Sequence, residues 1–314
     1  MTTEVAIHSF VDEHGHEVTQ PVLVHVPVRE DLVCDIPLLE QLSDAGGSVA
    51  IIRDGHLGDL LMLTPTLRAI KKNLPGIRLH VLCSASFLRV FYGNTCINGY
   101  EQMSATAKRK YTYSVDLRGY VERVEAAGTV DRTTLFGQAF GVEIDDGKPD
   151  FVVTDDDEDG AVERLGRFGI GDERYIVIAP DASDRRRSLT TSFINDISVL
   201  FLDVGFSTYV TGIERGDLPS LGELGAIVKS SAAVVSGDNG VYHLAAAFGV
   251  PSFPIFSTID PKLRCCWYPD CSPIVAPVSC APCNEKPIRG CVGDCMSSLG
   301  AELVVETISR TVNE

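Results

Sequence analysis

Short apolar runs alternate with longer, helix-like segments over most of this chain. The run SVAIIR begins at Ser48 and is followed by LGDLLMLTPTLRAIKKNL, and the same order returns from RYIVIAP at 174–180 onward. A short apolar run between loop residues is typical of a buried strand, and strands that alternate with helices form parallel, doubly wound sheets. The sequence therefore predicts an α/β fold with two Rossmann-like domains in tandem, facing a cleft in which a ligand could bind.

The domain boundaries are predicted from changes in this pattern. Two β-rich runs near the start, EVAIHSFV and PVLVHVPV, flank the turn segment DEHGHE and predict a β-hairpin. The acidic run DDDEDG at 155–160, a solvated loop or a helix start, separates the two alternating regions. We therefore predict an N-terminal hairpin extension at 1–45, a Rossmann-like domain at 46–165, and a second one at 166–314 that ends in an amphipathic helix.

The net charge of −16, from 43 acidic and 27 basic residues, constrains the class of ligand. Nucleic-acid binding draws most of its affinity from basic side chains that contact phosphates, so an acidic chain disfavours a duplex DNA substrate. The first residues lack the apolar core of a signal peptide, and no apolar run approaches the roughly 20 residues of a membrane-spanning helix. We therefore expect a cytoplasmic protein with a small-molecule ligand.

The loop RDGHLGD, which follows the first strand of the alternating region, carries a first set of candidate site residues. A loop between a parallel strand and its helix opens onto the ligand crevice of an α/β sheet. Asp59 lies at the helix start, where it can cap free N–H groups or take a proton from a ligand. Gly55 and Gly58 let the backbone approach a ligand closely, and His56 is either a ligand contact or a solvated loop residue.

The segment SGDNGVYH places a second set of candidates at a later strand–helix junction. Backbone N–H groups at such a junction bind phosphate, so Gly237, Asp238, Asn239 and Gly240 are candidate phosphate-binding residues. His243 follows on the next helical turn, either as a packed histidine hydrogen-bonded to the loop or as a ligand contact.

Three consecutive arginines, Arg185 to Arg187, follow the strand RYIVIAP. In an acidic chain they are the best source of cations for a diphosphate, because guanidinium groups bind phosphate oxygens in a two-pronged geometry. The alternative is a solvated charge cluster or an anchor for the acidic run at 155–160.

Four cysteines with the spacing C-x2-C-x7-C-x3-C lie close to the C-terminal end, in CAPCNEKPIRGCVGDC. In a reducing compartment, four such thiolates suit a tetrahedral structural site for iron or zinc, and free thiols are the alternative. The bound metal would hold in place the loop before the last helix. Three further cysteines lie nearby at 265, 266 and 271, and those at 34, 83 and 96 are expected to be buried or incidental. The four predicted ligands are Cys280, Cys283, Cys291 and Cys295.

Two blocks of the sequence resemble glycosyltransferase family 9, the heptosyltransferase superfamily. They are IIRDGHLGDLLMLTPTLRAIKKNLPGIRLHVL and LGELGAIVKSSAAVVSGDNGVYHLAAAFGVPSFPIF, and the strand segment SVDLRGYVE is similar to the family's aspartate-rich strand end. The resemblance covers residues 48–312 approximately. It implies an inverting, metal-independent sugar transfer on a GT-B type fold. The acceptor would bind the first domain, the nucleotide-sugar would bind the second, and the last helix would cross back toward the first.

The resemblance also implies roles for individual residues. Asp59 matches the family's Gly-Asp position, which implies the base that takes the proton of the acceptor hydroxyl. Arg118, in DLRG, would reach the acceptor side, while Asp116 is expected to be a structural carboxylate at a strand end. Where the family has a Lys beside a Trp-Pro, this chain has its arginine run and no Trp-Pro. Either Arg186 or Arg187 is therefore expected to clamp the diphosphate.

A second departure from the family pattern is Asn239, where the family usually has Thr. A hydroxyl contact to phosphate would then become an amide contact. The C-terminal cysteines resemble the iron-binding finger of the autotransporter heptosyltransferases, which favours iron at the structural site.

The predicted function is an inverting transfer of a heptose or hexose from a nucleotide diphosphate-sugar to an acceptor hydroxyl. The acceptor would be a glycan, a protein serine or threonine, or a modified nucleobase. Two other functions stay open. A non-catalytic binding or assembly protein on the same fold is motivated by Asn239 and the missing Trp-Pro, and a sugar-nucleotide epimerase has a similar architecture. The N-terminal hairpin either packs on the neighbouring domain or serves as an arm for homo-oligomer formation or for an acceptor protein.

Overall fold

A computed structural model provides the fold, and it divides the chain into two compact units. The first unit comprises Met1–His56 and Leu63–Asp146, and the second comprises Leu57–Met62 and Gly147–Glu314. The described residues are 5–11 and 17–23, for the backbone alone, and, with their side chains, 43–44, 46–104, 107, 110–111, 113–121, 130–212, 218–283, 291 and 293–313.

The first unit contains a four-stranded parallel sheet. The elements are β3 (Ser48–Ile52), α1 (Leu57–Asn73), β4 (Arg78–Cys83), β5 (Gly99–Gln102), β6 (Tyr113–Asp116) and α2 (Arg132–Ala139). The strand order is β5-β4-β3-β6. The central strand β3 is buried, and its Ile51 lies opposite Val81 of β4 and Val115 of β6. The helix α1 follows β3, and a 3₁₀ helix at Ala85–Phe91 follows β4.

The predicted N-terminal hairpin is formed by two antiparallel strands, β1 (Val5–Val11) and β2 (Glu17–Leu23). The register pairs Val5 with Leu23 at one end of the strands and Val11 with Glu17 at the other. Cys34 lies outside the described residues.

The second unit contains a five-stranded parallel sheet with flanking helices. The elements are α3 (Asp155–Arg167), β7 (Tyr175–Ala179), α4 (Thr191–Asp203), β8 (Ser207–Val210), α5 (Leu221–Ser230), β9 (Ala233–Gly237), α6 (Val241–Phe248), β10 (Ser252–Phe256), α7 (Lys262–Cys265), β11 (Ile274–Val275) and α8 (Ala301–Asn313). The strand order is β11-β10-β9-β7-β8. One face of the sheet buries Ile176, Val235 and Ile255 against α4 and α8.

The acidic run at 155–160 forms the start of α3. Thr154 caps this helix: its hydroxyl accepts from the Asp157 N–H, and the Asp157 carboxylate accepts from the Thr154 N–H. The helix packs on α5, and Lys229 of α5 donates to Glu158 at 2.7 Å. These contacts join α3 to α5, and both helices belong to the second unit. The domain boundary between 165 and 166 stays a prediction.

The longer segment of the second unit, Gly147–Glu314, begins with a glycine that lies against Trp267. A Cβ atom built on Gly147 would come within 2.2 Å of Cγ of the indole, so no larger residue fits without displacing the ring.

Among the described residues, none of the helices has both the length and the apolar character needed to cross a membrane.

Candidate functional site

The carboxyl end of β9 lies directly against the arginine run. A Cβ atom built on Gly237 would lie 2.1 Å from the carbonyl oxygen of Arg187, so glycine is required for this approach. The run itself forms one 3₁₀ turn at Arg185–Arg187, and the hydroxyl of Ser257, just after β10, donates to the Arg186 carbonyl at 2.5 Å. The two predicted donor-binding segments, which are 50 residues apart in sequence, therefore meet at one edge of the sheet.

Asp238 connects these two segments electrostatically. Its carboxylate is buried and accepts from Nη1 of Arg187 at 3.3 Å and from the hydroxyl of Tyr242 at 3.3 Å. The Arg187 guanidinium also donates to the Ser183 hydroxyl, while its buried Nε has no hydrogen-bond partner among the described residues. The buried carboxylate thus orients the Arg187 guanidinium beside the loop that leads into α6.

The other two arginines are directed elsewhere. Arg185 is exposed and pairs with Asp294, whereas Arg186 holds the carboxylate of Asp184 with Nε and Nη2. The hydrogen bond from Arg186 lowers the pKa of Asp184 from 3.8 to about 2. Of the three arginines, Arg187 is therefore the one held beside residues 237–240.

The side chain of Asn239 is used within the protein. Its Nδ2 donates to the carbonyls of Ala179 (2.8 Å) and Asp181 (3.1 Å), and its Oδ1 accepts from the N–H of Val241 at 2.9 Å. The amide thus joins the end of β7 to the first residue of α6. Both Nδ2 hydrogens are occupied, so the side chain holds the shape of the loop; the amide–phosphate contact expected from the sequence stays a prediction.

His243 is buried, at 2% exposure, which corresponds to the packed alternative. Its Nδ1 lies 2.7 Å from the hydroxyl of Tyr268, and its ring lies 4.0 Å from that of Tyr242. A Cβ atom built on Gly58 would come within 2.8 Å of the imidazole Cδ2 and 3.0 Å of Nε2. The start of α1, which belongs to the second unit, therefore packs against the side chain of His243.

Gly240 also packs closely against the start of α1, because a Cβ atom built on it would lie 2.7 Å from Cβ of Leu57. Asp59 is the third residue of α1 and is half-buried in the first turn, the position in which a carboxylate favours the helix dipole. Its roles as a cap and as a base both remain compatible with this position.

The remaining first-unit candidates lie at the carboxyl edge of the β5-β4-β3-β6 sheet. Gly55 is half-buried in the loop after β3, and the exposed His56 makes an edge-on ring contact with Phe87 at 6.4 Å. Arg118 holds the Asp116 carboxylate through Nε (2.9 Å) and Nη2 (2.6 Å), and this hydrogen bonding raises its pKa. Asp116 therefore acts as the strand-end carboxylate that the sequence indicates.

The four predicted metal ligands lie near one another but do not form a ready ligand set. Burial raises the pKa of the Cys295 thiol, and the charges of Cys280, Cys291 and Cys283 raise it further. In the described part of the chain, however, no three His, Cys, Asp or Glu side chains are grouped as a metal site requires.

Tyr268, Tyr242 and Ser183 are side chains of this site that the sequence did not reveal. Each supports a predicted residue: Tyr268 contacts His243, while Tyr242 and Ser183 flank the Arg187–Asp238 pair. Tyr268 lies in the segment CCWYPDC, which follows no strand and matches no motif, so no sequence signal connects it to His243.

Residues 219–290 match the family model described as glycosyltransferase family 9 (heptosyltransferase). No curated protein matches the sequence. A family 9 glycosyl transferase from Veillonella parvula is 13% identical with a TM-score of 0.64, covering 84% of this chain and 97% of that one. The E. coli heptosyltransferase WaaC, solved with ADP, is 16% identical with a TM-score of 0.58, covering 84% and 99%. The iron-containing dodecameric TibC of enterotoxigenic E. coli, solved with ADP-D-β-D-heptose, is 13% identical with a TM-score of 0.61, covering 85% and 76%.

These comparisons confirm the predicted α/β fold of GT-B type and the resemblance to glycosyltransferase family 9. At such low identities the solved structures establish the fold, while the family match is confined to the segment that holds β9, α6 and the loop between them. The fold and the matched segment together are those of a glycosyltransferase, as predicted.

Proposed function

We propose that the protein transfers a sugar, with inversion, from a nucleotide diphosphate-sugar to an acceptor hydroxyl. The observation that carries the proposal is the meeting of Arg187 with the loop 237–240. This loop lies inside the segment that matches the heptosyltransferase family. Solved proteins of similar fold hold ADP or ADP-D-β-D-heptose, which makes an ADP-sugar the first donor to test.

The donor diphosphate would bind between Arg187 and the positive end of α6. Arg187 brings a guanidinium that the buried Asp238 orients. Charge-assisted hydrogen bonds to phosphate are the stronger kind, and the start of a helix favours an anion. Asn239 supports this arrangement by holding the loop to the end of β7.

Asp59 is proposed as the base. Its carboxylate would take the proton of the acceptor hydroxyl while that oxygen attacks the anomeric carbon. The bond from the anomeric carbon to the diphosphate oxygen breaks on the opposite face, and the negative charge goes to the leaving nucleoside diphosphate. Arg187 would stabilise this charge, so the reaction needs no catalytic metal. Gly55, His56 and Arg118 are proposed on the acceptor side.

The donor site is tested by calorimetry with a panel of nucleotide diphosphate-sugars. Arg187→Ala should weaken the preferred donor by about 1.5–3 kcal/mol, which is roughly 10- to 150-fold in Kd, because charge-assisted hydrogen bonds are lost. Arg187→Lys separates loss of charge from loss of the two-pronged geometry. The matched control is Arg185→Ala, which removes the neighbouring exposed arginine and should leave Kd unchanged. Well-folded protein that binds no donor would refute the proposed site.

The base is tested with Asp59→Asn, which keeps the size of the side chain. Transfer should fall by about 10²–10⁴-fold while donor affinity stays the same. Unchanged biological function in this variant would favour a non-catalytic binding protein. Release of a free epimerised sugar without acceptor would favour an epimerase.

A structural iron or zinc at the four C-terminal cysteines is the second part of the proposal. It is supported by the nearness of the four thiols, and the solved TibC contains iron. The ligands would have to close around the metal, because no ready ligand set is present among the described side chains. Elemental analysis should find metal in the purified protein and lose it in Cys283→Ser, whereas the control Cys96→Ser should retain it. Metal-free wild-type protein would contradict this.

The cytoplasmic location, the identity of the acceptor and self-association through the hairpin remain predictions. TibC is dodecameric, so the mass of this protein in solution, measured by light scattering, is the direct comparison.

A further inference from the structure

We propose that Tyr268 is a positioning residue for the transfer reaction: through His243 it fixes the first turn of α1, and with it Asp59. This inference rests on the proposed function, because Asp59 is the base only if the protein is a glycosyltransferase. The contacts that carry it lie within the second unit, to which Leu57–Met62 belongs.

The first link is the hydrogen bond between Tyr268 and His243. The Tyr268 hydroxyl and Nδ1 of His243 are 2.7 Å apart, and the two rings meet edge to face with centroids 5.5 Å apart. Both side chains are buried, at 4% and 2% exposure, so water does not compete for this hydrogen bond. The ring of Tyr242 at 4.0 Å supports one face of the imidazole. The imidazole therefore has one orientation.

The second link is the contact between His243 and α1. The Nε2–Cδ2 edge of the ring lies against the backbone of Gly58, so close that a Cβ atom there would come within 2.8 Å of Cδ2. Gly58 precedes Asp59 in the first helical turn. A rotation of the imidazole would push this turn, and the Asp59 carboxylate moves with it.

The hydrogen bond with Tyr268 engages Nδ1 of His243, whereas Nε2 lies on the edge of the ring that contacts α1. Phenylalanine at 268 would keep the packing of the ring but remove the hydrogen bond at Nδ1. The imidazole would then lose the contact that fixes its rotation.

The kinetic test compares Tyr268→Phe with a matched control. Tyr175 is also 4% exposed, and its buried hydroxyl donates to the Ile227 carbonyl at 2.6 Å, so Tyr175→Phe removes an equivalent buried hydroxyl elsewhere in the second unit. Tyr268→Phe should lower kcat roughly 10- to 100-fold, as misplaced catalytic groups do, with donor KM within about twofold of wild type. Tyr175→Phe should leave both unchanged. Equal losses of kcat in the two variants would overturn the proposal.

The spectroscopic test is independent of activity. In protein with labelled histidine, Tyr268→Phe should change the Nδ1 signal of His243, because this nitrogen loses its hydrogen-bond partner. The amide signals of Gly58 and Asp59 should shift in the same variant and stay in place in Tyr175→Phe. Unchanged His243 and Gly58 signals would overturn the proposal. If no wild-type transfer is found but these shifts occur, the proposed function fails while the structural link stands.

The choice of replacement for His243 provides a rescue experiment. Glutamine places a polar group near the position of Nε2, and asparagine places one near Nδ1. Since the edge that contacts α1 is Nε2, His243→Gln should retain more kcat than His243→Asn. The reverse order would show that the contact with α1 does not matter.

Discussion

Gly237→Ala provides a direct test of how closely β9 approaches the arginine turn. The added methyl group would lie 2.1 Å from the Arg187 carbonyl oxygen, and real Cβ atoms essentially never come closer than 3.0 Å, so the turn or the strand must move by about 0.9 Å. Neither is free to move. The Pro180 carbonyl, also within 3.3 Å of the methyl position, already accepts from the Leu189 N–H, and Gly237 pairs with Ile255 in the sheet.

Such overpacking against backbone is expected to cost about 3 kcal/mol, the upper part of the usual range. A domain of this size loses about 2–4 °C of Tm per kcal/mol, so thermal unfolding should shift down by about 6–12 °C. Donor affinity should fall as well, because Arg187 is displaced.

The assay is thermal unfolding followed by circular dichroism, with Gly171→Ala as the control. A Cβ atom at Gly171 meets no atom within 4 Å, and this backbone does not require glycine, so that variant should melt like wild type. A melting temperature for Gly237→Ala within about 2 °C of wild type would refute the close approach of strand and turn.

Three further predictions concern stability. Asn239→Asp replaces the Nδ2 group, with its two N–H donors, by one carboxylate oxygen that faces two carbonyls. We expect a loss of about 2–3 kcal/mol in urea unfolding, and a loss below about 0.5 kcal/mol would show that the amide does not hold the loop. Asp184 has a pKa of about 2 in the folded protein, below its ordinary 3.8. Its contribution to folding stability is therefore present above pH 4 approximately and is lost as the pH falls toward 2. The free energy of unfolding of Asp184→Asn should therefore vary less with pH over that interval. The same decrease at low pH in variant and wild type would contradict the pairing with Arg186. Thr154→Ala should cost about 1 kcal/mol in urea unfolding, because the first turn of α3 loses its cap.

The alternating pattern was sufficient to predict most of the strands and helices of both sheets. Buried strands such as β3 and β9 are apolar because both their faces are covered, and this leaves a clear trace in the sequence. β5 (GYEQ) leaves no such trace, since it is a short, half-buried edge strand that forms by pairing with β4. The segment SASFLRVFYGN has a helix-like pattern and contains the 3₁₀ helix at Ala85–Phe91.

The candidate site was predictable as a set of loops rather than as a set of contacts. The position of a loop at a strand end follows from the local pattern, so residues 237–240 and the arginine run could be selected. Which arginine faces the loop depends on Asp238, and what Asn239 binds depends on the carbonyls after β7. These partners are 51 to 60 residues apart in sequence. Only the folded backbone brings such residues together, so the sequence left Arg186 and Arg187 as equal candidates.

The contact between Gly147 and Trp267 provides a means of observing the start of the segment Gly147–Glu314, the longer part of the second unit. Trp267 is the only tryptophan in the chain, so the intrinsic fluorescence excited at long ultraviolet wavelengths comes from this one indole. Its emission reports whether the backbone at Gly147 stays in place on the ring. Titration with nucleotide-sugar or acceptor, followed by emission wavelength and by quenching with iodide, would therefore detect movement of this segment without any added label.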